Sequence, residues 1–366
     1  MTDHHQTALS PVPLAGRTLK NRLAVAPMTR VTASDDGNAT EMMARYYERF
    51  AIGGFGLVIT EGIYTDRAHS QGYLNQPGLT DDGQANAWKP VVKGIQRHGA
   101  AAFAQLMHAG GISQGNRFRH FNVAPSATQP KGEQMAFYRG EGRYPVPQEI
   151  SVEQIDEAID GFASAAVRAV DLSGFDGIEI HGANGYLLDQ FLTSYTNSRD
   201  DKYGGPIANR IRMTLEVISA VRAAVGSKVP LGVRISQGKV NDFHHKWEGG
   251  EKDAEVVFGS LADSGVDYIH VTEFEAWKPA FGSGLSLAQY AKKFAPNTTI
   301  LANGSLHDAE RAEQVLNSGI DLVTLGRGAL ANPDFPMRYA QSIAQRDFNP
   351  SILGPLANIK ETELEM

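Results

Sequence analysis

The chain contains no cysteine in its 366 residues. Disulfides, thiolate metal sites, iron–sulfur clusters and a cysteine nucleophile are therefore excluded. Positive charge is also in deficit. There are 34 Lys and Arg against 41 Asp and Glu, a formal net charge of −7. That balance argues against a nucleic-acid partner, which needs clustered cations to neutralise phosphates. No stretch approaches the roughly 18 consecutive apolar residues of a membrane span. The start of the chain, Met1–Pro13, has neither the basic nor the apolar region of a secretory signal. The cytoplasm is the simplest expected location.

What is present fits an ordinary globular composition, with 42% hydrophobic and 20% charged residues. Eight short apolar runs stand out: Leu23–Met28, Leu57–Glu61, Ala102–Met107, Gly177–His181, Leu231–Ser236, Tyr268–Thr272, Thr299–Asn303 and Leu322–Leu325. They lack the polar alternation of a half-exposed strand, so they fit strands buried on both faces. Many of the 38 glycines follow these runs as turn punctuation.

Between the runs lie stretches of helical periodicity. Glu41–Ile52 follows Thr40 as N-cap. Val152–Leu172 follows Ser151 and carries the apolar stripe Ile155, Ile159, Phe162, Ala166 and Val170. Ala208–Val225, Asp253–Asp263 and Asp308–Ser318 read the same way. Eight strands alternating with helices predict an α/β fold, a single (β/α)8 TIM barrel occupying 1–366 as one domain. Its core runs from about residue 14 to 340. The competing doubly wound sheet lacks the GxGxxG expected after its first strand. Two stretches break the rhythm. Gly110–Ile150 is a long loop excursion after the third strand, in the position of a lid or binding loop. Pro350–Met366 is expected to be a mobile or surface-lying tail.

On a barrel the informative residues stand at strand C-termini and in the loops that follow. Gly304-Ser305 and Gly326-Arg327 end the seventh and eighth strands, where this fold holds phosphate: glycine lets backbone N–H groups approach an anion and Arg327 adds charge. The plainer alternative is turn glycines with a solvated arginine. His181 and Asn184 follow the fourth strand. On a helical turn they would share a face and polarise a carbonyl or nitro oxygen. Tyr186 beside them could donate a proton to a developing carbanion. A capped turn with a packed tyrosine is the plainer alternative. Gln105 and Arg234 interrupt apolar strands, and buried amide and guanidinium groups demand partners. A planar heterocycle with carbonyls and ring nitrogens would satisfy both; for Arg234 the plainer alternative is an internal pair with Glu179 or Glu61. His244-His245 and Lys278 read as loop residues, His4-His5 as terminal, and Asp35-Asp36-Gly37-Asn38 lacks the glutamate that closes a calcium loop. No metal site is expected.

Ala26-Pro27-Met28-Thr29-Arg30, Gln105 to Gly110, and the long block from His181 to Arg210 (HGANGYLLDQFL…NSRDDKYGGPIANR) resemble the old yellow enzyme family. Gly326-Arg327 with Asn332-Pro333-Asp334 is similar to its last phosphate segment. The resemblance runs from about Leu14 to Tyr339. It implies a (β/α)8 barrel holding non-covalent FMN, reduced by NADH or NADPH, that passes hydride in a ping-pong cycle to an electron-poor alkene, nitro compound or quinone.

Carried over by position, Thr29 would bond flavin O4, and Pro27, Met28 and Gly62 would line the ring. Gln105 would meet the pyrimidine edge, and Arg234 its N1–C2 side. Gly304, Ser305, Gly326 and Arg327 would hold the phosphate. His181 and Asn184 would bind the acceptor's activating oxygen over the flavin. Tyr186 would protonate the α-carbon, and Tyr73 would line the acceptor pocket. Met107 stands where many relatives carry tryptophan, and Thr29 places the chain in the threonine-bearing branch. The absence of cysteine excludes the cluster-bearing architecture of larger relatives. A flavin sensor or store without turnover, another FMN barrel dehydrogenase and a flavin-free barrel are the competing classes. No oligomer interface is legible.

Overall fold

The computed structural model describes residues 7–365; His4, His5 and Met366 lie outside them. Eight parallel strands close into a barrel: β1 (Leu23–Val25), β2 (Leu57–Tyr64), β3 (Ala101–Met107), β4 (Gly177–Asn184), β5 (Leu231–Lys239), β6 (Tyr268–Thr272), β7 (Thr299–Asn303) and β8 (Leu322–Leu325). Each pairs with the next, and β8 returns to β1. All eight residues of β2 are buried, as a strand covered on both faces requires.

The inward-facing residues change character along the axis. At the bottom Phe103, Tyr268, Leu301 and Leu322 fill the interior, closed below by Val12, Leu14 and Leu19 of an N-terminal hairpin. Gly177 and Gly232 make room for them: a Cβ at Gly177 would stand 2.7 Å from the Phe103 ring, and one at Gly232 2.1 Å from Tyr268. Two residues further along, the inward positions become Gln105, Glu179, Arg234, His270 and Thr324. The period of two in a strand puts these on the same interior wall as the rings beneath them. A dry apolar floor thus supports a polar layer near the C-terminal ends.

The outer layer contains α1 (Glu41–Ile52), α2 (Asp82–Arg97), α3 (Val152–Val167), α4 (Arg212–Val225), α5 (Glu251–Asp263), α6 (Leu287–Phe294) and α7 (Ala309–Asn317). Thr40 caps α1 through the Met43 N–H, and Ser151 with Gln154 forms a capping box on α3. The predicted Val152–Leu172 helix continues past Val167 as a π turn, Arg168–Ser173, ended by Gly174 at φ 84°. The predicted Ala208–Val225 helix is two pieces, Ile207–Arg210 and α4. No helix among the described residues is long and apolar enough to cross a membrane.

The C-terminal segment departs from expectation. Ala357, Ile359 and Glu363 are buried rather than mobile or surface-lying. Glu363 receives two hydrogen bonds from Arg30, at 2.5 and 2.8 Å, and also pairs with Arg49. Arg30 is fully buried, so its cation needs this counter-charge. The segment docks to neutralise a charge that the barrel buries.

Candidate active site

A cavity of about 380 Å³ opens at the C-terminal ends of the strands. Pro27, Met28, Thr29, Gly62, Tyr73, Gln105, His181, Asn184, Tyr186, Arg234, Gly304, Ser305, Gly326 and Arg327 all line it. Residues from seven of the eight strands or the loops that follow them therefore face one space.

The floor is a hydrogen-bonded row. Gln105 Nε2 donates to Glu179 Oε1 at 2.8 Å; Glu179 Oε2 lies 2.9 Å from His270 Nδ1, and His270 Nε2 lies 2.8 Å from Thr324 Oγ1. Burial opposes the Glu179 charge, but His270, Arg234 and Gln105 outweigh it and hold the carboxyl below its usual range. Burial lowers the His270 pKa despite Glu179. The row is therefore an anionic Glu179 accepting from a neutral His270, with the Thr324 hydroxyl donating to Nε2.

Glu179 is thus committed elsewhere. Glu61 is too: it accepts from the Arg30 backbone N–H at 3.0 Å and the Tyr47 hydroxyl at 3.2 Å. Neither forms the internal pair with Arg234 that the sequence left open. Arg234 Nη2 donates to Asn303 Oδ1 at 2.8 Å and Thr272 Oγ1 at 3.3 Å, and its buried Nε has no partner among the described residues. Burial lowers its pKa against the pull of Glu179, but a guanidinium stays charged. A buried cation without a bonded carboxylate faces the cavity.

His181 and Asn184 do not sit on a helical turn as expected. They end β4, where the register shifts between Gly182 and Asn184 and Asn184 takes φ 63°. The bulge, not helical spacing, turns both toward the cavity. Burial keeps His181 well below its usual pKa, so it is neutral. Its Nδ1 accepts from the Ala183 N–H at 3.4 Å, which leaves the proton on Nε2. Tyr186 packs edge-on to His181, with ring centroids 4.8 Å apart. Its hydroxyl is 2.7 Å from that of Tyr73. Burial raises the Tyr186 pKa, with Tyr73 and Arg234 pulling the other way.

The excursion after β3 supplies part of the roof. Met135, Phe137 and Tyr138 line the cavity, the Tyr138 hydroxyl donates to Thr29 O at 2.9 Å, and its ring lies 4.5 Å from that of Tyr73. Opposite, Ser305 adopts φ 52°, bonds Phe274 O at 2.9 Å and receives Arg327 at 3.4 Å. Tyr138, the Glu179–His270 row and a buried Asp189–Lys239 pair escaped sequence reasoning. The first lies in an irregular loop, and the pairs need strand register to be seen.

Glu61 gives the fold's stability a pH dependence. Burial raises its carboxyl from 4.5 to about 7, against the Arg30 and Tyr47 donors. Between those values the folded chain holds a proton that the unfolded chain has released. Stability from this group is therefore greatest below about pH 4.5, falls as pH rises to about 7, and is level above. Thermal unfolding of Glu61→Gln across that window is expected to show a shallower fall than the parent chain. Parallel curves would remove Glu61 as the source.

A closed parallel barrel thus carries at one mouth a neutral histidine, two bonded tyrosine hydroxyls and a buried arginine with no carboxylate bonded to it among the described residues. The model of the NADH:flavin oxidoreductase / NADH oxidase family matches residues 9–346, and the chain belongs to that family of oxidoreductases, with the old yellow enzymes among its relatives. It is 33% identical to the probable flavin mononucleotide-dependent alkene reductase of Leishmania infantum, over 90% of this chain and 89% of that protein. It is 31% identical to the NADH oxidase of Thermoanaerobacter brockii over 92% of this chain, but spans only 51% of that protein's length. The old yellow enzyme homologue of Zymomonas mobilis superposes with a TM-score of 0.87 at 30% identity, covering 98% of both chains.

Proposed function

We propose that this barrel binds FMN non-covalently and reduces activated C=C bonds, as in enones, enals, maleimides and nitroalkenes, with NADH or NADPH as reductant. The observation that carries the reading is Arg234, a buried cation whose Nε has no partner among the described residues and whose guanidinium faces the cavity. Gln105 adds to it: one amide N–H is committed to Glu179, and its carbonyl oxygen has no partner among the described residues. A planar ring with N–H and carbonyl edges and anionic character suits both groups. Ser305 and Arg327, with Gly304 and Gly326, suit a phosphate at the cavity's edge, and Pro27, Met28, Thr29 and Gly62 form the wall between.

Bound there, FMN supplies hydride transfer between a nicotinamide and an acceptor. The chain's residues then divide the remaining work. His181 Nε2–H and the Asn184 amide, which makes no side-chain hydrogen bond to the described residues, hold the acceptor's activating oxygen and draw electron density toward it. The Tyr186 O–H delivers a proton to carbon. Burial keeps it protonated at neutral pH, and the Tyr73 hydroxyl at 2.7 Å stabilises the phenolate left behind. Tyr73, Met107 and Tyr138 shape the pocket around a small acceptor. Small electron-poor alkenes and nicotinamides are the proposed partners.

The visible spectrum of the purified protein tests this, with chromatography of what heat releases. Flavin bands and free FMN are the expected result. A colourless protein that fails to take up added FMN would overturn the assignment and leave the barrel standing.

A further inference from the structure

Behind the acceptor residues lies a buried ion pair that the reading above does not use. Lys239, the last residue of β5, has a side chain 2% exposed, and Asp189, in the short helix Leu187–Leu192, is fully buried. Lys239 Nζ stands 2.9 Å from both carboxylate oxygens and 3.3 Å from Gln237 O. Its N–H groups are all committed, so it is not a free cation for a ligand. A buried pair of this kind adds little net stability over well-packed apolar residues, which directs attention to what it holds in place.

It holds the turn between Asn184 and Tyr186. Asp189 Oδ2 accepts the Gly185 N–H at 2.6 Å, and Oδ1 accepts Thr193 Oγ1 at 3.3 Å. Gly185 has φ 87° and follows Asn184 at φ 63°, so two successive residues lie in the left-handed region. Asparagine tolerates that conformation better than other non-glycine residues, and here its surroundings fix it. Lys239 fixes it from the other side. It is the strand partner of Asn184, and a Cβ at Gly185 would lie 3.2 Å from the Lys239 Cβ. Ser236 Oγ receives the Asn184 N–H at 2.8 Å, and Asn184 O receives the Val240 N–H at 3.1 Å. Gly185 O also accepts from Gln190 Nε2 at 2.7 Å; loss of the pair would release the Gly185 N–H while that bond and the strand contacts remain.

We propose that the Asp189–Lys239 pair positions the acceptor site: it locks the left-handed turn so that the Asn184 amide and the Tyr186 hydroxyl address one bound molecule. The pair acts through that turn: Lys239 lines the cavity, but its ammonium is turned to Asp189. This rests on the FMN and alkene reading for its kinetic consequence, but its structural consequence is independent of it.

Two variants test the proposal, Lys239→Met and the double Asp189→Ala/Lys239→Met. The double variant leaves no unpaired buried charge and keeps the fold measurable. The first readout is hydrogen exchange at the Gly185 amide, expected to quicken at least tenfold in the double variant, which loses its acceptor Asp189 Oδ2, and by less in Lys239→Met, which keeps it, with or without flavin. The second is the ratio of 2-cyclohexenone to menadione turnover in the flavin-loaded protein. It is expected to fall at least tenfold, because protonation at carbon needs Tyr186 in place and a quinone does not. Affinity for 4-hydroxybenzaldehyde is expected to weaken by a similar factor. A merely structural role would lower the unfolding temperature and leave the turnover ratio unchanged. Unchanged exchange at Gly185, or faster exchange with an unchanged ratio and phenol affinity, would overturn the proposal. A parent protein that reduces no alkene would instead count against the proposed function, and the exchange result would still decide the clamp.

Discussion

Replacing Tyr186 with phenylalanine is expected to slow alkene reduction by about 10²–10⁴-fold, the usual contribution of a positioned general acid, while quinone turnover stays near the parent rate. The two acceptors differ in where the proton goes. An alkene must receive it on carbon, which water protonates poorly; a quinone receives it on oxygen, which exchanges with water directly. The structure provides one buried phenol beside the neutral His181, backed by the Tyr73 hydroxyl at 2.7 Å. Burial raises the Tyr186 pKa, so the group is a proton reservoir at neutral pH rather than an anion. Tyr73 keeps its own hydroxyl in the variant, and any protonation it relays sets the lower end of the expected loss. Steady-state rates with one enone and one quinone on the same preparation decide the matter. An equal fall with both acceptors would mean that Tyr186 shapes the pocket and donates no proton.

The second large effect is expected at Arg234. Arg234→Met should weaken FMN binding by about 10²-fold or more, since hydrogen bonds to a charged group contribute about 1.5–3 kcal/mol each. The fold should survive. Asn303 and Thr272, which hold the guanidinium, also bond to each other at 2.8 Å, and Asn303 donates to Thr324 O at 2.9 Å. These contacts remain when the cation goes. Flavin titration followed by fluorescence, with circular dichroism as the check on folding, gives the answer. A variant that holds flavin as tightly as the parent would mean that the arginine serves the polar layer of the barrel and no ligand.

The eight strands were legible because burial on both faces erases polar alternation, and runs such as Leu57–Glu61 and Tyr268–Thr272 carry that mark. The site residues were legible because Gln105 and Arg234 violate it. Helix α2 was not: Pro90 lies inside it and Gly83 and Gly94 near its ends, all of which locally signal a break. Tertiary burial of Ala85, Trp88, Val91, Val92 and Ile95 overrides them. Helix α6 is too short to show a period. His181 and Asn184 were found for a reason that did not hold, since three-residue spacing suggested a helix and the strand bulge does the work. The partners of Glu179, Asp189 and Glu363 could not be read locally. His270, Lys239 and Arg30 lie 91, 50 and 333 residues away, and only the closed barrel, the helix after β4 and the docked C-terminal segment bring them together.

The last of these separations bears on how the protein is made. Arg30 leaves the ribosome early, next to Thr29 in a loop that lines the cavity, and the carboxylate that balances it is synthesised 333 residues later. Through most of translation the barrel's first loop carries a cation with no counter-ion. The Arg30 loop therefore acquires the carboxylate that bonds its guanidinium only once Glu363 has emerged.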